Sequence, residues 1–180
     1  NRDAAERSEV LSTLGLTAGG YNVVTLHRPS NVDDPVIFGG IVSAIEEIQR
    51  DLPVVFPIHP RTLANMKRLG FADRFAAMSG LKVIEPLGYL DFLKLTANAA
   101  VVLTDSGGIQ EETTVLGIPC VTLRENTERP VTITDGTNIL AGTKKENIVS
   151  AARASLKRLE DGDYRAAVPP LWDGKAAKRI

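Results

Sequence analysis

"LTDSGGIQEETTVLGIPCVTL" (residues 103–123) is the stretch that decides the fold. Leu103 and Thr104 close the apolar run Ala99–Leu103, a helical pattern begins at Ile109, and Ile118–Leu123 is extended again. Ser106, Gly107 and Gly108 therefore stand where a strand hands over to a helix, and a second strand follows. Two strands joined through a helix run parallel, because parallel pairing requires a crossover. The turn at the carboxyl end of such a strand is where open α/β sheets bind ligands.

The same alternation extends in both directions. Upstream, the patterns predict a helix over 3–14, a strand at "YNVVTLH" (21–27) and a loop at "RPSNVDDP". A long helix follows, with Asp34 as N-cap and Pro35 at its first position. Ile37, Ile41, Ile45 and Ile48 form its apolar stripe. Gly39 and Gly40 cost this helix about 1 kcal/mol each in propensity, which packing must offset. Next come a strand at 54–59, a helix at 62–69, a strand at 81–87, a helix at 89–99 and a strand at 100–105. Downstream of the helix at 108–116 and the strand at 118–123, "TNILAG" (137–142) reads as a sixth strand and 144–160 as a helix. "PPLWDGKAAKRI" starts a further element. With no internal repeat or low-complexity linker, the expectation is one three-layer α/β domain. It is Rossmann-like, with a parallel sheet of about six strands covered on both faces.

Bulk composition narrows the function classes. The chain has 180 residues, 43% of them hydrophobic and 24% charged, with a formal net charge of -1. That is enough apolar material for a full core and gives no electrostatic reason to expect nucleic acid or an anionic membrane as partner. A single cysteine, Cys120, lies inside the apolar run "IPCVTL" and reads as an inert buried thiol. Two histidines and one cysteine are too few for a typical structural zinc site. No apolar stretch approaches the roughly 20 residues that span a bilayer, and no signal-peptide pattern opens the sequence, so a cytoplasmic protein is expected.

The strand ends gather a consistent chemistry. In chain order they carry His27-Arg28, His59-Pro60-Arg61, Pro86-Leu87-Gly88, Asp105-Ser106-Gly107-Gly108, and Arg124 onward. Imidazole, guanidinium and a glycine turn on one rim suit a phosphate or diphosphate. The backbone N–H groups of Ser106, Gly107 and Gly108 would be free at a helix start, where the macrodipole also favours an anion. Glu112 follows Gly108 by four residues and shares its helix face. Aimed away from a phosphate, its carboxylate can accept hydrogen bonds from a vicinal diol such as ribose. A nucleoside diphosphate satisfies both groups. Spacing alone leaves the plainer readings open: Ser106 as a simple helix cap, Glu111 as a solvated residue, His27 and His59 as polar loop residues, Phe92 as core. The G-x-G-x-x-G and G-x-x-x-x-G-K-[ST] motifs are absent, which argues against NAD and P-loop chemistry; no cofactor and no metal are expected.

The motifs "VVTLHRPSNVDDP", "IHPRT", "PLGYLDFLKL", "LTDSGGIQEETTVLGIPCVTLRENTERPVT", "GTNILAGT" and "LWDGKAA" resemble the C-terminal domain of non-hydrolysing UDP-N-acetylglucosamine 2-epimerases, from about Tyr21 onward. The block from Thr104 to Pro130 carries most of the specificity. The resemblance implies one half of a glycosyltransferase-B-like two-domain fold, with substrate in the cleft between halves. It implies that Ser106, Gly107 and Gly108 hold the diphosphate, that Glu112 takes the ribose hydroxyls, and that Phe92, with backbone near Leu87, lies against uracil. His27 and Arg129 are implied as auxiliary catalytic groups, Arg129 facing the phosphates or sugar and His27 reaching the diphosphate. Arg28 and His59 fall at an activator site for a second UDP-N-acetylglucosamine. The common "HRREN" motif reads "HRPSN" here, with Ser30 in place of a glutamate, which puts that activator site in question.

The implied reaction inverts C2 by eliminating and re-adding UDP, giving UDP-N-acetylmannosamine, with a place in cell-surface polysaccharide synthesis. The family's main acid and base carboxylates sit on an N-terminal half outside this sequence. The chain thus reads as an excised UDP-binding domain over 1–180, with 1–20 at the junction. By itself it is expected to be inactive. Implied partners are UDP, UDP-N-acetylglucosamine, the missing N-terminal half and, in the full-length protein, a second copy. The donor-binding half of a nucleotide-sugar glycosyltransferase and a non-catalytic UDP-sugar module are the alternatives.

Overall fold

Short β-branched runs become six parallel strands: β1 (Asn22–Thr25), β2 (Val54–Pro57), β3 (Leu81–Ile84), β4 (Val102–Thr104), β5 (Cys120–Thr122) and β6 (Asn138–Leu140). This computed structural model describes residues 2–179. The strands lie in the order β3-β2-β1-β4-β5-β6. Val23 pairs with Val55 on one side and with Val102 on the other, so β1 and β4 occupy the centre. Chain progression reverses direction across the sheet between these two strands. In an open parallel sheet this reversal leaves a crevice at their carboxyl ends. His27 follows β1, and the Ser106 turn follows β4.

Alternation along the strands feeds two cores. Val24, Phe56, Leu103 and Val121 point to one face, under α4 (Pro35–Asp51) and α10 (Lys145–Glu160). Val23, Val55 and Val102 point to the other, under α2 (Val10–Leu14), α7 (Tyr89–Ala97) and α8 (Gly107–Leu116). Asp34 caps α4 by accepting the N–H groups of Val36 and Ile37 at 2.8 and 3.0 Å. Ile41, Ile45 and Ile48 are buried as expected, Ile37 only partly, and Phe38 joins them. A Cβ at Gly39 would stand 3.3 Å from the Phe71 ring, and one at Gly40 3.5 Å from the Thr143 carbonyl. Close packing is thus what offsets the two glycines in this helix.

Several local expectations change. The helix expected over 3–14 divides into α1 (Arg2–Ala5) and α2. Between them Ser8 Oγ accepts the Val10 N–H at 3.2 Å and donates to Asp91 at 2.6 Å, a hydroxyl competing with the helical ladder. The loop expected at "RPSN" contains a single helical turn, α3 (Pro29–Val32), because Pro29 presets the first position and the Arg28 carbonyl accepts from Asn31 and Val32. Further short helices, α5 (Pro60–Arg68), α6 (Ala72–Ala76) and α9 (Val131–Thr134), complete the set, of which α6 and α9 carry no clear sequence signal. The terminal stretch is largely irregular and ends in one 3-10 turn, Ala176–Lys178. Among the described residues, no helix is long and apolar enough to cross a membrane.

Candidate functional site

The corner between β4 and α8 is open. Ser106 is the N-cap in an extended conformation, and its Oγ lies 3.5 Å from the Ile109 N–H, a long capping contact. A Cβ at Gly107 would first meet Glu128 Oε2 at 3.9 Å and Arg129 Cγ at 4.0 Å; at Gly108 it would meet only Ser106 Oγ at 3.9 Å. Neither glycine adopts a positive φ. The missing side chains therefore leave the corner open, and no unusual dihedral requires them.

One turn along α8, Glu112 is partly buried. Its Oε2 is buried with no hydrogen-bond partner among the described residues, and burial raises its pKa above the ordinary carboxylate value. A carboxylate in that condition lacks donors that a ligand can supply. Glu112 shares a largely apolar cavity of about 450 Å³ with Tyr89, Leu93, Val115 and Trp172. Ser106, Gly107 and Gly108 are not in the cavity wall.

At the β1 side of the crevice, His27 and Asp105 lock together. His27 Nδ1 is 2.9 Å from Asp105 Oδ1, and the carboxylate also accepts the backbone N–H groups of His27 and Arg28 at 3.0 and 2.9 Å. The hydrogen bond to Asp105 raises the His27 pKa, against opposing effects of burial and of the Arg28 charge.

A model of the family described as UDP-N-acetylglucosamine 2-epimerase matches residues 1–180. The chain belongs to the UDP-N-acetylglucosamine 2-epimerase family. It is 43% identical over 162 residues to UDP-N-acetylglucosamine 2-epimerase of Methanocaldococcus jannaschii, covering 89% of this chain and 43% of that protein. It is 44% identical over 171 residues to UDP-2,3-diacetamido-2,3-dideoxy-D-glucuronate 2-epimerase of Pseudomonas aeruginosa, covering 94% and 46%. The M. jannaschii enzyme solved in complex with UDP-GlcNAc and UDP superposes with a TM-score of 0.85 at 39% identity, covering 100% of this chain and 50% of that one. The chain thus spans about half the length of the relatives it matches.

In this member of the epimerase family, the other expected site residues divide between the rim and its surroundings. His59 meets His27, ring centroids 5.9 Å apart, while its Nδ1 accepts the Arg61 N–H and caps α5. Arg28 donates through Nε to the Asp105 carbonyl at 2.9 Å and lies 3.6 Å from Glu128. Arg129 Nε sits 2.7 Å from Glu111, so the glutamate expected to be merely solvated holds this guanidinium. Phe92 is partly buried, packed with Leu87 against the second core, and so retains part of the core character that its sequence context suggests.

Sequence patterns set Arg124 among the cationic strand ends and point to no role for Asp105 or Glu128. Asp105 and Arg124 stand at strand ends, and that position was the available signal. Arg124 is held by both Glu128 oxygens, at 2.6 and 2.8 Å. Hydrogen bonds from Arg124 and then from its own backbone N–H pull the Glu128 pKa down to about 2. The spacing of this pair, four residues across an irregular loop, gives no hint of such a contact.

Proposed function

We propose that this chain is the UDP-binding C-terminal domain, residues 1–180 with 1–20 at the junction, of an enzyme that interconverts UDP-N-acetylglucosamine and UDP-N-acetylmannosamine. The observation that carries the reading is the unobstructed glycine corner backed, one turn on, by a buried Glu112 oxygen without a donor. The corner offers N–H groups to a diphosphate, and Glu112 accepts from the ribose hydroxyls. Phe92, with backbone near Leu87, lies against uracil. His27 and Arg129 answer the charge that grows on UDP as it leaves C2, each contributing about 2–4 kcal/mol if aimed at the developing charge. Removal of the C2 proton and its return on the other face need carboxylates of tuned pKa, assigned here to an N-terminal half. Arg28 and His59, beside His27, are assigned to an activator site.

A second reading changes only the sugar. The 44% identity to the P. aeruginosa protein, whose name specifies a diacetamido glucuronate, equals the match to the M. jannaschii enzyme within a percentage point and supports a UDP-sugar carrying an additional acetamido group and a carboxylate as the alternative. The C2 inversion is the same.

Calorimetric titration of the chain with UDP, UDP-N-acetylglucosamine and NAD tests the core of the proposal. UDP and its sugar should bind and NAD should not; the reverse pattern ends it. Glu112→Ala should weaken UDP about tenfold and leave inorganic pyrophosphate nearly unchanged, since the lost bonds are to ribose. Equal losses would show that the ribose assignment is wrong. Incubated with UDP-N-acetylglucosamine in deuterated water, the chain should exchange no C2 hydrogen. Ready exchange would contradict the division of labour between halves.

A further inference from the structure

Asp105 is wholly buried at the end of β4, and four nitrogen atoms converge on its carboxylate. Two are the backbone donors of His27 and Arg28. One is Asn31 Nδ2, at 3.4 Å, and the last is His27 Nδ1, at 2.9 Å. Both Asp105 oxygens already accept backbone N–H groups, so the oxygen that faces Nδ1 acts as an acceptor. Nδ1 must therefore carry a hydrogen. Nε2 is then the ring atom left for a ligand, and any further proton His27 takes up goes there.

We infer that Asp105 is the positioning residue that makes His27 an N–H donor toward the diphosphate: it fixes the Nδ1–H tautomer and the ring angle. This deepens the proposed function and rests on UDP occupying the adjacent corner. Asp105 joins the two loops at the reversal of strand order, because the β1 loop hangs from its carboxylate and Arg28 Nε is tied to its carbonyl. The donor is thereby held to the same corner that offers the glycine N–H groups. No proton transfer is required: the Nε2–H of the cation shares a hydrogen bond with a phosphate oxygen as charge builds there.

The groups facing His27 can be named from each element. Asp105, from the β4–α8 turn, favours the cation. Arg28, on its own loop, opposes it. His59, from the start of α5, stacks obliquely at 47°. Glu128 lies behind Arg28 and offsets part of that guanidinium's charge. Arg124 feels Asp105 from β5 outward.

Long-range proton–nitrogen correlation spectra of the ring, recorded on the 180-residue chain between pH 5 and 9, read the tautomer directly. His27 should lose its Nε2 proton at a higher pH than in the urea-unfolded chain, and the neutral form should keep hydrogen on Nδ1. UDP affinity should fall across that same transition, while uridine affinity stays level. In Asp105→Asn an amide N–H faces Nδ1, so the neutral ring should carry hydrogen on Nε2 and the transition should move down. UDP affinity at pH 6 should drop roughly tenfold, the size of one charge-assisted hydrogen bond.

In a His27→Gln background, Asp105→Asn should change UDP affinity no further, whereas a purely structural role would lower it again and overturn the inference. If Asp105→Asn fails to fold, the native spectra still decide. A neutral His27 with hydrogen on Nε2, in a chain that binds UDP, overturns the inference and leaves the UDP site standing. The Nδ1–H tautomer in a chain that does not bind UDP supports the geometry and refutes the proposed ligand.

Discussion

Glu128 shows how far one side chain can be shifted by its partner. It is exposed, yet Arg124 engages both of its oxygens and the pKa falls from 4.5 to about 2. The sign of the linkage follows: a carboxyl depressed in the folded state contributes stability above its unfolded pKa and loses it as pH falls through the folded value. Wild type should thus exceed Glu128→Gln in Tm at pH 6, with the gap closing between about pH 4.5 and 2. A gap that persists at pH 2 in thermal melts would show that the glutamate acts by packing. Glu112 is displaced the other way, by burial, and its Oε2 has no partner among the described residues to offset the cost. Two carboxylates of one chain thus differ because one is held by a guanidinium and the other is shifted by burial alone.

At the scale of the element, α8 begins and ends in glycine for different reasons. Gly117 closes it with φ at +74°, and a Cβ there would stand 2.9 Å from the Ala166 methyl. Gly107 opens it with a negative φ and no contact nearer than 3.9 Å. Gly107→Ala should therefore raise unfolding free energy by about 0.4–1 kcal/mol, since alanine restricts the unfolded chain and fits the folded one. It should also weaken UDP several-fold by covering the N–H groups. Gly117→Ala should destabilise by more than about 1 kcal/mol. Urea denaturation with UDP titration separates these outcomes; a destabilised Gly107→Ala would mean the glycine serves the fold alone.

Across the whole molecule, β5 is held between β4 and β6, and Cys120 is fully buried in it. Burial pushes the thiol pKa up to about 12, well beyond the range of a reactive thiolate. Labelling of Cys120 by a thiol reagent should be slow in the native chain. Its denaturant dependence should follow that of global unfolding by circular dichroism. Labelling that runs ahead of unfolding would reveal local opening at the β5–β6 edge.

Strand and helix periodicity, the Asp34 cap, the parallel sheet and the glycine corner were all legible in the sequence, because each depends on neighbours within a few residues. The break at Ser8 depends on Asp91, and the occupation of Arg129 depends on Glu111, so neither shows in a local pattern. The sequence by itself determined a doubly covered α/β sheet with cationic and glycine-rich strand ends. Only the tertiary structure decided that β1 and β4 are neighbours, which sets His27 on Asp105 across 78 positions of chain. Side-chain chemistry is written residue by residue, but hydrogen-bond partners are chosen by the order in which strands pair, and that order is a property of the packed whole.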